Sequence, residues 1–161
     1  MTLEFIDHRA VRSLKHSWTP FTSSDGYEHP RWWLNAGGAI GDPWFVQVLE
    51  DGTEVARVQF DERGGINLEY TGAPELGPER LKIQFIEVAM AARRRGIGTR
   101  VVHGLAQRHP DRRLLAYSEG ADHFWESLSG WERFDHPDGR HQPLFIQSLR
   151  NNHPGADAEV T

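Results

Sequence analysis

Residues 81–108, LKIQFIEVAMAARRRGIGTRVVHGLAQR, constrain this chain more than any other stretch. An apolar strand-like run leads into an arginine-rich turn carrying Gly-x-Gly, and helical spacing of apolar residues begins at those glycines. Ile97, Val101, Val102 and Leu105 form the stripe of a helix predicted over Gly98–His109, with Pro110 marking its end. Gly96 and Gly98 let the backbone bend and approach a ligand without a Cβ in the way. Free amides at a helix start, with Arg93, Arg94 and Arg95 beside them, suit phosphate oxygens. The stretch is neither a Gly-x-Gly-x-x-Gly dinucleotide turn nor a Gly-Lys-Thr phosphate loop, because the third glycine and the Lys-Thr pair are absent.

The strand ahead of the turn, Leu81–Met90, carries an irregularity. Leu81, Ile83 and Phe85 are apolar at odd positions, with Lys82 and Gln84 between them, and then Ile86 and Val88 flank Glu87. Side chains alternate strictly along a regular strand, so the phase reversal predicts a β-bulge near Phe85–Ile86. It would turn Lys82, Gln84 and Glu87 the same way. A strand buried on both faces, with Glu87 near its end, is the plainer alternative.

Bulk properties exclude several classes. The 161 residues suit one domain with one core, and 38% hydrophobic with 25% charged content is that of a globular chain. Eighteen Lys and Arg against 23 Asp and Glu give a net charge of −5, which argues against a broad nucleic-acid surface. No cysteine is present, so disulfides, thiolate metal sites and a cysteine nucleophile are excluded. Nine histidines show no metal-ligand spacing, so no metal is expected. The N-terminal residues lack the apolar run of a signal peptide and no stretch reaches membrane-spanning length, so a cytoplasmic location is expected.

Leu3–Ile6 reads as a first strand, and 8–40 are hard to read: Ala10–Trp18 has some helical spacing and Tyr27–Leu34 suggests a short helix broken by Pro30. Trp44–Leu49 and Glu54–Phe60 form a predicted hairpin across Asp51-Gly52, and Ile66–Tyr70 is expected to extend the meander. Beyond the helix come a strand at Arg113–Tyr117, a helix at Ala121–Leu128, and a closing hairpin of Trp131–Phe134 with Leu144–Leu149. Residues 1–150 are read as one domain, with 1–43 as N-terminal elements ahead of a 44–150 core and 151–161 as a loose tail.

The run Val88–Thr99, VAMAARRRGIGT, resembles the acetyl-CoA-binding motif of the GCN5-related N-acetyltransferases, Gln/Arg-x-x-Gly-x-Gly/Ala after a strand. Ala121–Trp131, ADHFWESLSGW, resembles that family's helix ending in Phe-Tyr-Glu-x-Leu-Gly-Phe. Element order agrees over Trp44–Leu149, while the motifs lie within Ile86–Trp131. The resemblance implies an α/β (α+β) fold with a mixed, mostly antiparallel sheet that splays between Leu81–Met90 and Arg113–Tyr117, flanked by helices. It implies acetyl-CoA as co-substrate, with Ile86, Glu87 and Val88 against the pantetheine arm. Arg93, Arg94, Arg95, Gly96, Ile97, Gly98 and Thr99 would meet the pyrophosphate. Ser118 stands near the position of a cofactor-contacting Asn.

Two departures follow. Trp125 replaces the usual Tyr acid and has no proton to give, leaving Tyr117 or Ser118 as the acid. Ser129 is inserted before Gly130. Glu87 is the expected general base, weighed against a structural carboxylate paired with an arginine, and Glu119 and Asp122 are second choices. The function implied is direct transfer of acetyl from acetyl-CoA to an amine of a small molecule or peptide, with a homodimer admissible. A non-catalytic acyl-CoA-binding module and a plain phosphate-binding domain are the rivals.

Overall fold

The computed structural model describes residues 2–10, 18–33 and 42–149. Seven strands form one sheet in the order β1-β2-β3-β4-β5-β7-β6. They are β1 (Leu3–Arg9), β2 (Trp44–Glu50), β3 (Thr53–Asp61), β4 (Arg80–Val88), β5 (Arg113–Tyr117), β6 (Trp131–Phe134) and β7 (Leu144–Gln147). All neighbours are antiparallel except β4 and β5, and the mixed, mostly antiparallel α/β fold is as expected.

The hairpin between β2 and β3 turns on Asp51 (φ 49°) and Gly52 (φ 81°), the double positive-φ pair that matches strand twist. A single 3-10 turn (Met90–Ala92) follows β4, and α1 (Ile97–Arg108) starts directly after Gly96. Gly96 has φ 70°, a left-handed conformation that glycine adopts without strain. Helix α1 lays Ile97, Val101, Val102 and Leu105 on one face of the sheet, where each fully buried aliphatic contributes about 1.5–3 kcal/mol. The second helix, α2 (Asp122–Glu126), adds Trp125 to the same core. Two smaller clusters cover the opposite face: Phe21, Trp33 and Phe45, and Tyr70, Leu115, Leu144 and Ile146.

The expected bulge is present one residue earlier than the phase change suggests. Phe60 pairs with Ile83 and Gln59 with Phe85, so Gln84 is the extra residue. Phe85 therefore crosses to the face of Glu87, where Trp32 stacks on it at 4.3 Å between ring centroids. Ile83, Ile86 and Val88 remain against the α1 core.

Two local expectations fail. Ile66–Tyr70 is not a strand: Asn67 accepts from the Glu69 amide at 2.9 Å through its side chain and from the Tyr70 amide at 3.2 Å through its carbonyl, which closes a turn instead. Among residues 18–33 no α-helix forms. The helical spacing at Ala10–Trp18 and the end of Tyr27–Leu34 lie largely outside the described residues, as does the predicted tail.

The break in the sheet sets up the site. Strands β4 and β5 pair only through Arg80–Lys82 with Arg113–Leu115. Beyond that, β5 continues with β7 and the remaining length of β4 faces an opening. Among the described residues no helix is long and apolar enough to cross a membrane.

Candidate functional site

Two adjoining cavities occupy the opening. One, of about 340 Å³, runs from Ile86 and Val88 to Arg94, Gly96, Ile97, Gly98 and Thr99, roofed by Phe124 and Trp125. The other, of about 370 Å³, lies between Ile83–Val88 and Ala116–Tyr117, with Glu28, His29 and Glu119 at its mouth. Ile86, Val88, Arg93, Ala121 and Trp125 wall both.

The first cavity ends at the start of α1. The amides of residues 97–99 have no intrahelical acceptor, and no other described backbone carbonyl receives them. They present hydrogen-bond donors and the positive helix end to the cavity. Gly98 is required by packing: a Cβ there would sit 3.0 Å from Phe124 Cε2. The glycine lets the aromatic roof close onto the helix start.

The three arginines of the turn are not equivalent. Arg94, at φ 63°, has no hydrogen-bond or ion-pair partner among the described residues, and it lines the cavity. Arg95 instead pairs with Glu50 at 3.1 Å, beside Arg100 at 2.7 Å. These guanidiniums, Arg100 first, hold the Glu50 carboxyl below its usual range. Arg93 is a tie-point: Nε donates to the Val88 carbonyl at 3.2 Å, Nη1 pairs with Glu28, and Nη2 reaches Glu87 at 3.4 Å. Its guanidinium lowers the Glu28 carboxyl.

Glu87 is 6% exposed and surrounded by donors. The amides of Glu28 (3.0 Å) and His29 (3.2 Å) donate to Oε2, as does Arg93. His29 Nδ1 lies 3.3 Å from the same oxygen. The Met90 amide also donates to the Gly26 carbonyl at 2.8 Å. Residues 26–29 thus form a strap fastened across the end of β4. Glu28, His29 and Glu87 bring their ligand-type atoms within 4.8 Å of one another, as do His136, Asp138 and His141. In the first group Arg93 donates to both carboxylates and two backbone amides donate to Glu87.

Of the two acid candidates, Tyr117 lines the second cavity and Ser118 lines neither. Tyr117 Oη accepts from the Asn67 amide at 2.9 Å, and the Lys82 ammonium stands 5.2 Å from its ring. Ser118 is 1% exposed; its hydroxyl donates to Asp122 at 2.6 Å and accepts from the Ala121 amide at 3.1 Å, bracing the turn that leads into α2. Asp122 is engaged there, while Glu119 remains exposed at the cavity mouth. Trp125 is a packing residue, stacked on Phe145 at 6.3 Å and against Trp131 at 5.2 Å.

The structure therefore gathers Ile86, Glu87, Val88, Arg93, Arg94, Gly96, Ile97, Gly98 and Thr99 at one cleft, and sets Arg95 and Ser118 behind it. Sequence reasoning missed Glu28 and His29. Their only signal was polar residues in an aromatic-rich segment without periodicity.

No curated protein sequence matches the chain. Among solved structures, an acetoin utilization protein from Exiguobacterium sibiricum is similar at 13% identity with a TM-score of 0.51, over 98% of this chain and 92% of that one. YhhK from E. coli, bound to coenzyme A, is similar at 13% identity with a TM-score of 0.50, over 92% of this chain and 100% of that one. The chain spans only 64% of an acetyltransferase from Thermus thermophilus, at 16% identity and a TM-score of 0.49, over 66% of this chain. It spans 35% of N-acetylglutamate synthase from Neisseria gonorrhoeae. At these identities the likeness shows the fold. The family model for the acetyltransferase (GNAT) family matches residues 8–131, more than half of the sequence, and the chain belongs to that family.

Proposed function

We propose that the protein is an acetyl-CoA-dependent N-acetyltransferase that passes the acetyl group directly to an amine of a small molecule or peptide. The observation that carries this reading is the cleft at the unpaired end of β4, which joins a phosphate-suited helix start to a second, acid-rimmed cavity. The amides of residues 97–99 and Arg94 suit the pyrophosphate of coenzyme A. The free edge of β4 at Ile86–Val88 suits the pantetheine arm, added as an extra strand would be. The coenzyme A bound in the E. coli fold neighbour supports the same assignment.

In the second cavity an acceptor amine meets Glu28, Glu87 and Glu119, with Gln84 and Phe85 on the β4 wall. An acceptor ammonium must lose a proton before its nitrogen attacks the thioester carbonyl. Glu87, the carboxylate expected to serve this step, stands at the wall of that cavity. The departing thiolate needs a proton in turn. Tyr117 carries the only hydroxyl among the described residues that line the cavity, and it takes the acid role in this reading.

Calorimetry with acetyl-CoA and an assay of released coenzyme A thiol over a panel of amines test the proposal. Micromolar binding with amine-dependent thiol release is expected. No binding at millimolar acetyl-CoA would overturn it. Trp125, which offers no acid, favours one rival, a non-catalytic acyl-CoA-binding module. Binding without thiol release from any amine would select that rival.

A further inference from the structure

We propose that His29 is the general base of the acetyl transfer, and that Glu87 acts through it as a positioning residue. The inference rests on the N-acetyltransferase reading and deepens it. Glu87 Oε2 already receives two backbone amides, the Arg93 guanidinium and the His29 ring, which leaves that oxygen little capacity for an incoming ammonium. The carboxylate is also 5% exposed at its side chain, whereas the His29 side chain is 62% exposed. His29 lines the same cavity and can exchange a proton with both acceptor and solvent.

The geometry selects the tautomer. A carboxylate only accepts, so His29 Nδ1, 3.3 Å from Glu87 Oε2, must carry the hydrogen. Neutral His29 then has its lone pair at Nε2, on the opposite side of the ring from Glu87. Two further contacts hold the imidazole. Its backbone amide is fixed to Glu87, and the ring meets Phe85 edge-on at 6.0 Å between centroids. Trp32 stacks on the Phe85 ring at 4.3 Å between centroids and fixes that wall. The charged and titratable groups around it are Glu87 on β4, Glu28 on the strap, Arg93 on the basic turn, and Tyr117 and Glu119 across the cavity.

The step balances without a further reactant. Nε2 takes one proton from the acceptor ammonium, and the freed nitrogen lone pair forms the N–C bond to the thioester carbonyl. The C–S bond breaks with its electron pair on sulfur, the thiolate takes the Tyr117 hydroxyl proton, and the newly acetylated nitrogen gives up its second proton, which restores that hydroxyl. His29 releases its own proton to water.

Three measurements on the full chain test this. First, 15N NMR of the His29 ring in the free protein should show hydrogen on Nδ1, shifting toward Nε2 in Glu87→Gln. A predominant Nε2–H tautomer in the wild type would overturn the proposal, whatever the acceptor. Second, with an amine that the wild type acetylates, His29→Gln should lower kcat about 100-fold or more while acetyl-CoA affinity stays within about twofold. It should also lose the acid-side fall of the pH–rate profile. A variant within about threefold of wild type that keeps this fall would overturn the proposal and leave the N-acetyltransferase reading standing. Third, Glu87→Gln should lose less activity than His29→Gln and keep an acid-side fall. Greater loss in Glu87→Gln, in a protein of unchanged melting temperature, would return the base role to the carboxylate. Wild-type protein that binds acetyl-CoA but acetylates no amine would sink both readings together.

Discussion

Gly98→Ala separates two consequences of the same methyl group. The new Cβ would lie 3.0 Å from Phe124 Cε2, 3.4 Å from Cζ and 3.6 Å from Val88 Cγ2. Carbon atoms rest at about 3.5–4.0 Å, so the Phe124 ring must withdraw by about half an ångström. It has little room, because it packs edge-on against Trp125 at 5.1 Å. Overpacking of this kind costs about 1–3 kcal/mol, against a helix-propensity gain of at most about 1 kcal/mol for alanine over glycine. The net is a loss of about 0–3 kcal/mol, or a melting temperature lower by up to roughly 12 °C for a chain of this size. Binding should suffer more. The methyl group and the displaced ring both belong to the cavity at the start of α1, and a shifted helix start weakens charge-assisted hydrogen bonds of about 1.5–3 kcal/mol each. Loss of one such bond predicts acetyl-CoA affinity lower by about 10- to 150-fold. Scanning calorimetry and isothermal titration on the same preparation read both effects. A variant that melts higher and binds acetyl-CoA within twofold of wild type would refute the packing argument and the placement of the pyrophosphate.

Other perturbations sort the remaining groups. Arg94→Glu should weaken acetyl-CoA binding at least tenfold, with a smaller effect at high salt, because Arg94 lines the cavity without a partner among the described residues; Arg95→Gln should weaken it by less than threefold, since Arg95 is held by Glu50. Equal losses would show that the turn rearranges. Ser118→Ala should cost about 1–3 kcal/mol of stability by leaving the buried partners of its two hydrogen bonds unmatched, and leave acetyl-CoA affinity unchanged; a tenfold weaker Kd would instead put the hydroxyl on the cofactor. His109 packs against Trp44 and Phe60, and burial lowers its imidazole below the ordinary 6.5. Below about pH 6.5 the unfolded chain therefore binds a proton that the fold resists, and stability falls as pH drops. His109→Phe should flatten that acid-side decline in melting temperature relative to wild type. His136, raised chiefly by Glu69, carries the opposite sign, with stability lost as pH rises through its folded value, and it cancels in this comparison. An unchanged slope would assign the decline to other groups.

The legible parts of the sequence were those in which local pattern and tertiary role coincide. Alternation across Ala56–Phe60, the Asp51-Gly52 turn and the α1 stripe each encode one backbone state, and the α1 stripe also encodes its buried face. The bulge was readable because it reverses a period of two, yet its position was off by one. Phe85 is as apolar as Ile83, and only Trp32 and His29, from a distant segment, show which face it occupies. The strap at 26–29 was illegible for a related reason. Its backbone donors go to Glu87 and its carbonyl to Met90, long-range partners that leave no periodic mark. The same holds for the arginines. Three in a row look alike in sequence, while Glu50, Glu28 and Glu87 divide them into two fastened side chains and one with no partner among the described residues.

Arg93 touches the strap through Glu28, β4 through the Val88 carbonyl, and Glu87 beside both. It is also the residue from which the basic turn departs toward the helix start. One guanidinium thus spans the mouths of two cavities, so a ligand that shifts the turn also shifts the acceptor wall. Such coupling is reciprocal: whatever factor acetyl-CoA adds to acceptor affinity, the acceptor returns to acetyl-CoA. Titrating acetyl-CoA with and without a saturating acceptor measures that factor, and Arg93→Lys, which keeps the charge but not the fork, should bring it close to one. A coupling factor unchanged in Arg93→Lys would mean that the two mouths communicate by another route.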